Sequence, residues 1–317
     1  MPSGIVYEKI VVVTRHTDLE GLLERFSTRG RARFYIEQMG VSFAQYQSAD
    51  TAQAQALKML QAAIPRGVRV QYIEREFLPN YTFGPTDCVV VLGVDGLVVN
   101  VAKYLDKQPL VAINPSPGQI DGVLLPFPIW DVQRVLTNVV KGKFQTKKIT
   151  LAQAQLNDGQ VLHAVNDLFI GRKTHASARY SIELGRRTEN QSSSGVIVST
   201  GTGSTGWLKS IVTGAIGIAS AYKTDEESEA VNTQFDGAAE NLVFCVREPF
   251  VSKTSSAQIV HGRIDAGESL QIVSQMPQDG VIFSDGIEDD YLEFNSGAIA
   301  HISVAQKKVH LVVAAYN

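Results

Sequence analysis

The strongest apolar signal early in the chain is residues 9–14 (Lys-Ile-Val-Val-Val-Thr), an unbroken β-branched run of the kind that forms a strand covered on both faces. Residues 31–39 read as a short helix. Residues 50–64 carry Ala, Leu and Met at helical spacing, with Asp50 as the expected N-cap. Further strands are expected at 68–73, 87–92 and 110–113, a helix at 96–105 between the last two, and an amphipathic helix at 130–140. This alternation predicts right-handed crossovers and a mostly parallel sheet, with ligands outside the carboxyl ends of its strands.

Beyond Lys143 the texture changes. Residues 149–156 and 160–165 alternate around Asn157-Asp158-Gly159, which is a hairpin signal. Short strands are expected at 181–184, 195–199, 242–246, 270–273 and 281–283, and strand texture returns at 298–315. One helix starts near Gly203, and the polar, acidic stretch 222–235 reads as a surface loop. The fold class expected is therefore an N-terminal Rossmann-like α/β domain over 1–143, followed by a C-terminal β-rich (β-sandwich) domain over 144–317.

Composition narrows the partners. A length of 317 residues suits two domains, and 44% hydrophobic with 19% charged residues is the mix of a globular chain with real cores. A net charge of -3 supplies no global basic field, so no nucleic-acid partner is expected, and a phosphate-bearing ligand would depend on local donors. Cys88 and Cys245 both lie in apolar runs; two isolated thiols make neither a disulfide framework nor a zinc site, and a reducing cytoplasm is expected. No secretory signal and no membrane partner are expected, because the weakly polar stretch 211–222 is too short to span a bilayer.

Three local patterns could carry chemistry. The apolar run 89–92 ends directly in Gly93-Val94-Asp95-Gly96, after which a helix begins. Such a turn puts Asp95 at the carboxyl edge of the sheet with glycine backbone beside it, where phosphates can approach and a carboxylate can accept a hydroxyl proton. An ordinary strand-to-helix turn with Asp95 as N-cap uses the same residues. The second pattern, Ser199-Thr200-Gly201-Thr202-Gly203-Ser204-Thr205-Gly206-Trp207, offers backbone donors and hydroxyls with little bulk, and an indole suited to a planar base. It lacks the lysine of a Walker loop; a linker or capped helix start is the bland alternative. The third is Asn166-Asp167, whose amide and carboxylate can take a ribose diol or an amino-purine edge, although Asn-Asp is also a common turn pair. Residues 283–286 (Phe-Ser-Asp-Gly) read as a turn, and Glu288, Asp289 and Asp290 as a solvated tip rather than a metal site. His163 and His175 read as structural, and no hydrolase elbow or zinc motif is present.

Taken in order, Gly93-Val94-Asp95-Gly96, Asn114-Pro115-Ser116-Pro117, Asn166-Asp167 and Thr200–Thr205 resemble the ordered motifs of the NAD kinase family, most strongly its divergent, mitochondrial-type branch. The resemblance runs from about residue 10 onward and implies an NAD kinase-like fold and ATP-dependent phosphorylation of NAD to NADP. It implies Asp95 as the base acting on the adenosine-ribose 2′-hydroxyl, and Gly93, Gly96 and Asn114 on the phosphate-donor side. Asn166, Asp167, Thr202, Ser204, Thr205 and Trp207 would hold NAD, Mg²⁺ would accompany ATP, and the protein would be a homodimer or higher homo-oligomer. Val94 stands where the family's turn has a second glycine, and Leu97 where it has threonine. The alternatives these departures leave are a weak or inactive NAD(P)-binding regulatory relative and a related lipid or sugar kinase.

Overall fold

The computed structural model describes residues 6–7, 9–222 and 231–314. Within the loop expected at 222–235, residues 223–230 lie outside the described part. The chain divides into two compact units, Met1–Lys147 with His310–Asn317, and Lys148–Val309.

The first unit runs β1 (Lys9–Thr14), α1 (Asp18–Phe26), α2 (Arg29–Gln38), α3 (Phe43–Ala63), β2 (Arg69–Glu74), β3 (Asp87–Leu92), α4 (Asp95–Ala102), β4 (Pro109–Asn114), β5 (Phe127–Pro128) and α5 (Val132–Val140). Its strands lie in the order β2-β1-β3-β4, all parallel. Every residue of β3 and β4 is buried, as their apolar runs demand when both faces are covered. The main core joins the sheet to the second half of α3 and to α5, with Leu60 and Leu136 fully buried. A smaller core of Leu19, Ala32, Ile36 and Phe43 ties α1, α2 and the start of α3 together.

The structure corrects one expectation and adds one helix. The helix expected at 50–64 begins at Phe43, because Phe43 and Tyr46 have the small helical core to pack into. Asp50 is therefore mid-helix and caps nothing; its carboxylate accepts the Thr17 hydroxyl at 2.6 Å. Helix α1 was not anticipated, although Thr17 and Glu20 form a capping box that the sequence spells out.

The second unit continues β6 (Gln145–Leu156), β7 (Val161–Ala164), β8 (Asp167–Arg172), β9 (Ala178–Leu184), β10 (Arg187–Ser193), β11 (Val196–Ser199), α6 (Trp207–Ala221), β12 (Asn241–Val246), β13 (His261–Asp265), β14 (Leu270–Ser274), β15 (Gly280–Ser284), β16 (Ile287–Glu293) and β17 (Ile299–Val313). One sheet has the antiparallel order β13-β12-β11-β8-β15-β16. The other is built from β10-β9-β14-β17 with the β6–β7 hairpin, whose Asp-Gly turn puts Gly159 at φ +92. Side chains from both sheets, among them Leu168, Phe244, Tyr180 and Ile302, share one core, which makes this unit a β-sandwich. The outer face of the six-stranded sheet is covered in part by α6 through Trp207 and Ile211, which pack on Phe169, Ile197 and Val281.

Four strands of this unit escape the hydrophobic pattern. Strand β10 reads Arg-Thr-Glu-Asn-Gln-Ser-Ser and lies at a sheet edge, where polar residues are tolerated on both faces. Glu288, Asp289 and Asp290, expected at a solvated tip, sit within edge strand β16, where charges also discourage pairing with another chain. Strand β13 is a third edge, and β8 is masked in the sequence by the turn-like Asn-Asp pair at its start.

Candidate functional site

In the first unit the buried β3 ends at Gly93, whose N–H donates to the Ile113 carbonyl at 3.3 Å. Val94 caps α4 with an extended backbone (φ −101, ψ 165), a conformation open to any residue, so the left-handed geometry a glycine would permit is not needed there. A Cβ at position 93 would meet the Leu97 side chain at 3.0 Å, and Leu97 is buried: it packs beneath the turn and presents no hydroxyl. Position 96 is open, with nothing within 4 Å of where a Cβ would stand.

Asp95 is the first residue of α4 and not its cap, which removes the N-cap alternative. Its carboxylate accepts the backbone N–H of Val123 at 2.9 Å and of Leu124 at 3.0 Å. Two donors fix the carboxylate in position and leave about two of its four lone-pair directions free. Asn114 is buried and its amide is fully used: Nδ2 donates to the Ile120 carbonyl and Oδ1 accepts from Ser116 N–H, each at 2.9 Å. It therefore shapes the 114–120 loop from within. Gly93, Val94 and Ser116 line a cavity of about 350 Å³ with Arg15, Thr17 and Tyr46, beyond the carboxyl ends of β1, β3 and β4. In open α/β sheets that is where ligands bind.

In the second unit Asn166 and Asp167 bridge β7 and β8, directly against the Ser/Thr/Gly loop. Thr200 N–H donates to the Asn166 carbonyl at 2.9 Å, and the Thr200 hydroxyl donates to Val165 O. Gly201 and Gly203 are steric requirements. A Cβ on Gly201 would lie 1.9 Å from Asp236 O, and one on Gly203 would lie 2.4 Å from Asn166 O. Ser204 is fully buried; its hydroxyl donates to Gly201 O at 2.6 Å and accepts Phe235 N–H at 3.3 Å, so it braces the loop instead of facing out. Thr205 is exposed. Trp207 stacks on Phe169 with centroids 6.0 Å apart and planes 8° from parallel, which commits one face of the indole to the sheet.

Two buried oxygens here have no hydrogen-bond partner, Asp167 Oδ1 and Thr202 Oγ1. Unpaired buried polar atoms cost free energy, which makes both oxygens candidate contacts for a polar ligand. Burial pushes the Asp167 carboxyl up to about 7; a bond to Ser199 opposes the rise and the Asp285 carboxylate adds to it.

Asp285 is the residue that sequence reasoning missed. With Gly286 it forms a two-residue hairpin turn, both at positive φ (55 and 72), and its carboxylate accepts the N–H groups of Val165, Asn166 and Asp167 at 3.0, 2.7 and 3.2 Å. Its own N–H donates to Asp167 O at 2.9 Å. Asp285→Ala is expected to cost roughly 2–3 kcal/mol, the worth of charge-assisted hydrogen bonds whose donors are left unpaired. Urea unfolding of the variant against the parent checks it; a loss below about 0.5 kcal/mol would contradict the clamp.

The raised Asp167 carboxyl has a pH consequence. The folded chain keeps this proton between pH 3.8 and about 7, where the unfolded chain has released it. The stabilisation is thus complete at low pH and lost as pH rises through that window. His163, lowered to about 4 by burial, has the opposite slope, but it is common to parent and variant. Asp167→Asn is therefore expected to gain stability relative to the parent steadily from pH 4 to 7, and to gain no more above that. Unfolding curves at four or five pH values measure the difference.

No family model matches the chain. Curated NAD kinases do: that of Burkholderia thailandensis is 35% identical over 133 residues, and that of Paraburkholderia phymatum 32% identical over 133 residues. Each alignment covers 39% of this chain and 43% of the relative, so the chain matches under half the length of these relatives. Among solved structures, yeast NADH kinase complexed with NADH has a TM-score of 0.59 at 13% identity, covering 98% of this chain and 84% of that one. An NAD kinase from Archaeoglobus fulgidus in complex with ATP has a TM-score of 0.54 at 16% identity, covering 96% and 92%. The α/β unit and β-sandwich thus define a chain with the two-part fold of NAD and NADH kinases. Over the 133 aligned residues the chain is also similar in sequence to these curated NAD kinases.

Proposed function

We propose that the protein transfers a phosphoryl group from ATP to the 2′-hydroxyl of NAD, giving NADP. The observation that carries this reading is Asp95. Two backbone N–H groups hold its carboxylate at the end of β3, beside the Gly93–Val94 wall of the 350 Å³ cavity. In the proposed reaction Asp95 takes the proton of the attacking hydroxyl as its oxygen bonds to the γ-phosphorus of ATP, and ADP leaves as the β–γ bond breaks. Gly93 and Gly96 lie beside the donor phosphates, with position 96 sterically open for their approach. Asn114 holds the donor-side loop in shape.

Asn166 and Asp167 hold the adenosine of NAD, and the unpartnered Asp167 Oδ1 and Thr202 Oγ1 accept its hydroxyl or amino protons. Thr205 adds an exposed hydroxyl, Ser204 braces the loop, and Trp207 borders the dinucleotide. Among the described residues no group of three or more His, Cys, Asp or Glu gathers to hold a metal. In this reading Mg²⁺ would come with the donor phosphates and would offset their charge. No helix among the described residues is long and apolar enough to cross a membrane. The reading includes a cytoplasmic location and a homodimer or higher homo-oligomer.

The test is to incubate the purified protein with ATP, Mg²⁺ and NAD and to quantify NADP by chromatography. Time-dependent NADP that is absent without ATP supports the proposal. NAD binding without product overturns it in favour of a non-catalytic dinucleotide binder.

A further inference from the structure

A second cavity, of about 300 Å³, lies within the β-sandwich unit and is lined by Phe169, Arg172, Thr174, His175, Ser194 and Arg247, with Glu248 as its carboxylate. Arg172 ends β8 and Asp167 begins it, five strand steps or about 17 Å away, so this cavity is separate from the Asn166–Asp167 pair.

Its construction is specific. Gly171 and Gly195 face each other across β8 and β11; a Cβ on either would strike the Phe169 ring, at 2.5 Å and 2.7 Å. Only glycines let that ring lie flat as a floor. Arg247 is held beside them by two backbone bonds: Ser194 N–H donates to its carbonyl at 2.9 Å, and its own N–H donates to Gly195 O at 2.8 Å. Glu248 completes the turn in a left-handed backbone (φ 48), a strained choice for a residue with a side chain.

The donors in the cavity are under-used. Arg172 pairs through Nη2 with Asp279 at 3.1 Å, but its Nε is buried without a partner. Among the described residues Arg247 has no carboxylate within ion-pair distance; its guanidinium lies 5.6 Å over the Trp207 ring. A buried guanidinium N–H left open beside a second guanidinium and the Ser194 and Thr174 hydroxyls calls for an acceptor with several oxygens. We infer that this cavity binds the phosphate group of a small ligand, bridged between Arg172 and Arg247. Glu248 opposes it and limits its affinity. The inference does not rest on the kinase reading.

The experiment uses the full chain carrying Trp130→Phe, which removes the other of the two tryptophans at a position that is 66% exposed. Inorganic phosphate is titrated at constant ionic strength, with binding followed by calorimetry and by Trp207 emission. The expected result is saturable binding with an emission change. Arg247→Gln should weaken it about tenfold or more, as should Arg172→Gln, whereas Glu248→Gln should tighten it. Because Arg172 also pairs with Asp279, its variant could lose folded structure; the half-exposed Arg247 keeps the test decisive. AMP in place of phosphate separates the sources: tighter binding that is still lost in Arg247→Gln identifies a nucleotide phosphate, and equal binding identifies free phosphate. No saturable binding, or binding that survives Arg247→Gln, overturns the site.

Discussion

Asp95→Asn is expected to lower the rate of NADP formation by about 10²–10⁴-fold, the span that a positioned general base contributes. The Val123 and Leu124 N–H groups bond to different oxygens, so asparagine keeps one of these bonds and loses the other, a local cost of about 1–3 kcal/mol that the fold should survive. Removal of the base and disruption of the turn can thus be told apart. A melting temperature within a few degrees of the parent, with turnover nearly abolished, is the result anticipated from kinetic and thermal measurements on the same preparation. Turnover within tenfold of the parent would show that Asp95 only anchors the 122–124 loop, and the mechanism would have to be abandoned.

Gly203→Ala should be strongly damaging, and it strikes the Asn166–Asp167 pair directly. The added carbon would stand 2.4 Å from Asn166 O, 2.7 Å from the Asn166 carbonyl carbon and 2.8 Å from Ser199 Oγ. Backbone cannot swing aside as a long side chain can, and this carbonyl already accepts Thr200 N–H. A loss of roughly 2–4 kcal/mol is expected. NAD affinity should fall with it, since the displaced carbonyl belongs to the Asn166–Asp167 pair. Gly214→Ala is the matched control: it lies in α6 with nothing within 4 Å, and alanine should be neutral or stabilising there by up to about 1 kcal/mol. Urea unfolding and calorimetric NAD titration of both variants read the contrast; equal effects would mean that the loop yields where the geometry says it cannot.

What could be read from the chain alone follows burial. Strands β1 and β3 agree with their apolar runs to the residue, because a strand buried on both faces has no polar position to blur its ends. Edge strands β10 and β16 were invisible, since their pairing is satisfied by backbone while their side chains remain polar. The start of α3 was misplaced because Asp50 resembles a cap in one dimension, and only the packing of Phe43 and Tyr46 shows the helix running through it. In the candidate site, contiguous features were legible: the Gly93–Gly96 turn, the Asn166–Asp167 pair, and the loop at Ser199–Trp207. Asp285 was not, because its three contacts span 118–120 residues of sequence and a turn reading already accounted for Asp-Gly. Nor was the inward role of Ser204, since a hydroxyl in a polar loop carries no sign of which way it faces.

The last strand carries an implication for biosynthesis. Although most of β17 belongs to the sandwich, His310 and Leu311 pair with Pro109 and Leu110, and Val312 is buried in the core of the α/β unit. A ribosome that has translated as far as residue 147 has therefore not yet supplied one strand of that unit, and the Pro109–Leu110 end of the β4 edge must wait for about 160 more residues. Vectorial folding, in which an N-terminal unit matures before the next emerges, is closed to this topology. Until synthesis reaches residue 310 the Pro109–Leu110 end of this edge lacks its partner, the kind of surface that chaperones shield.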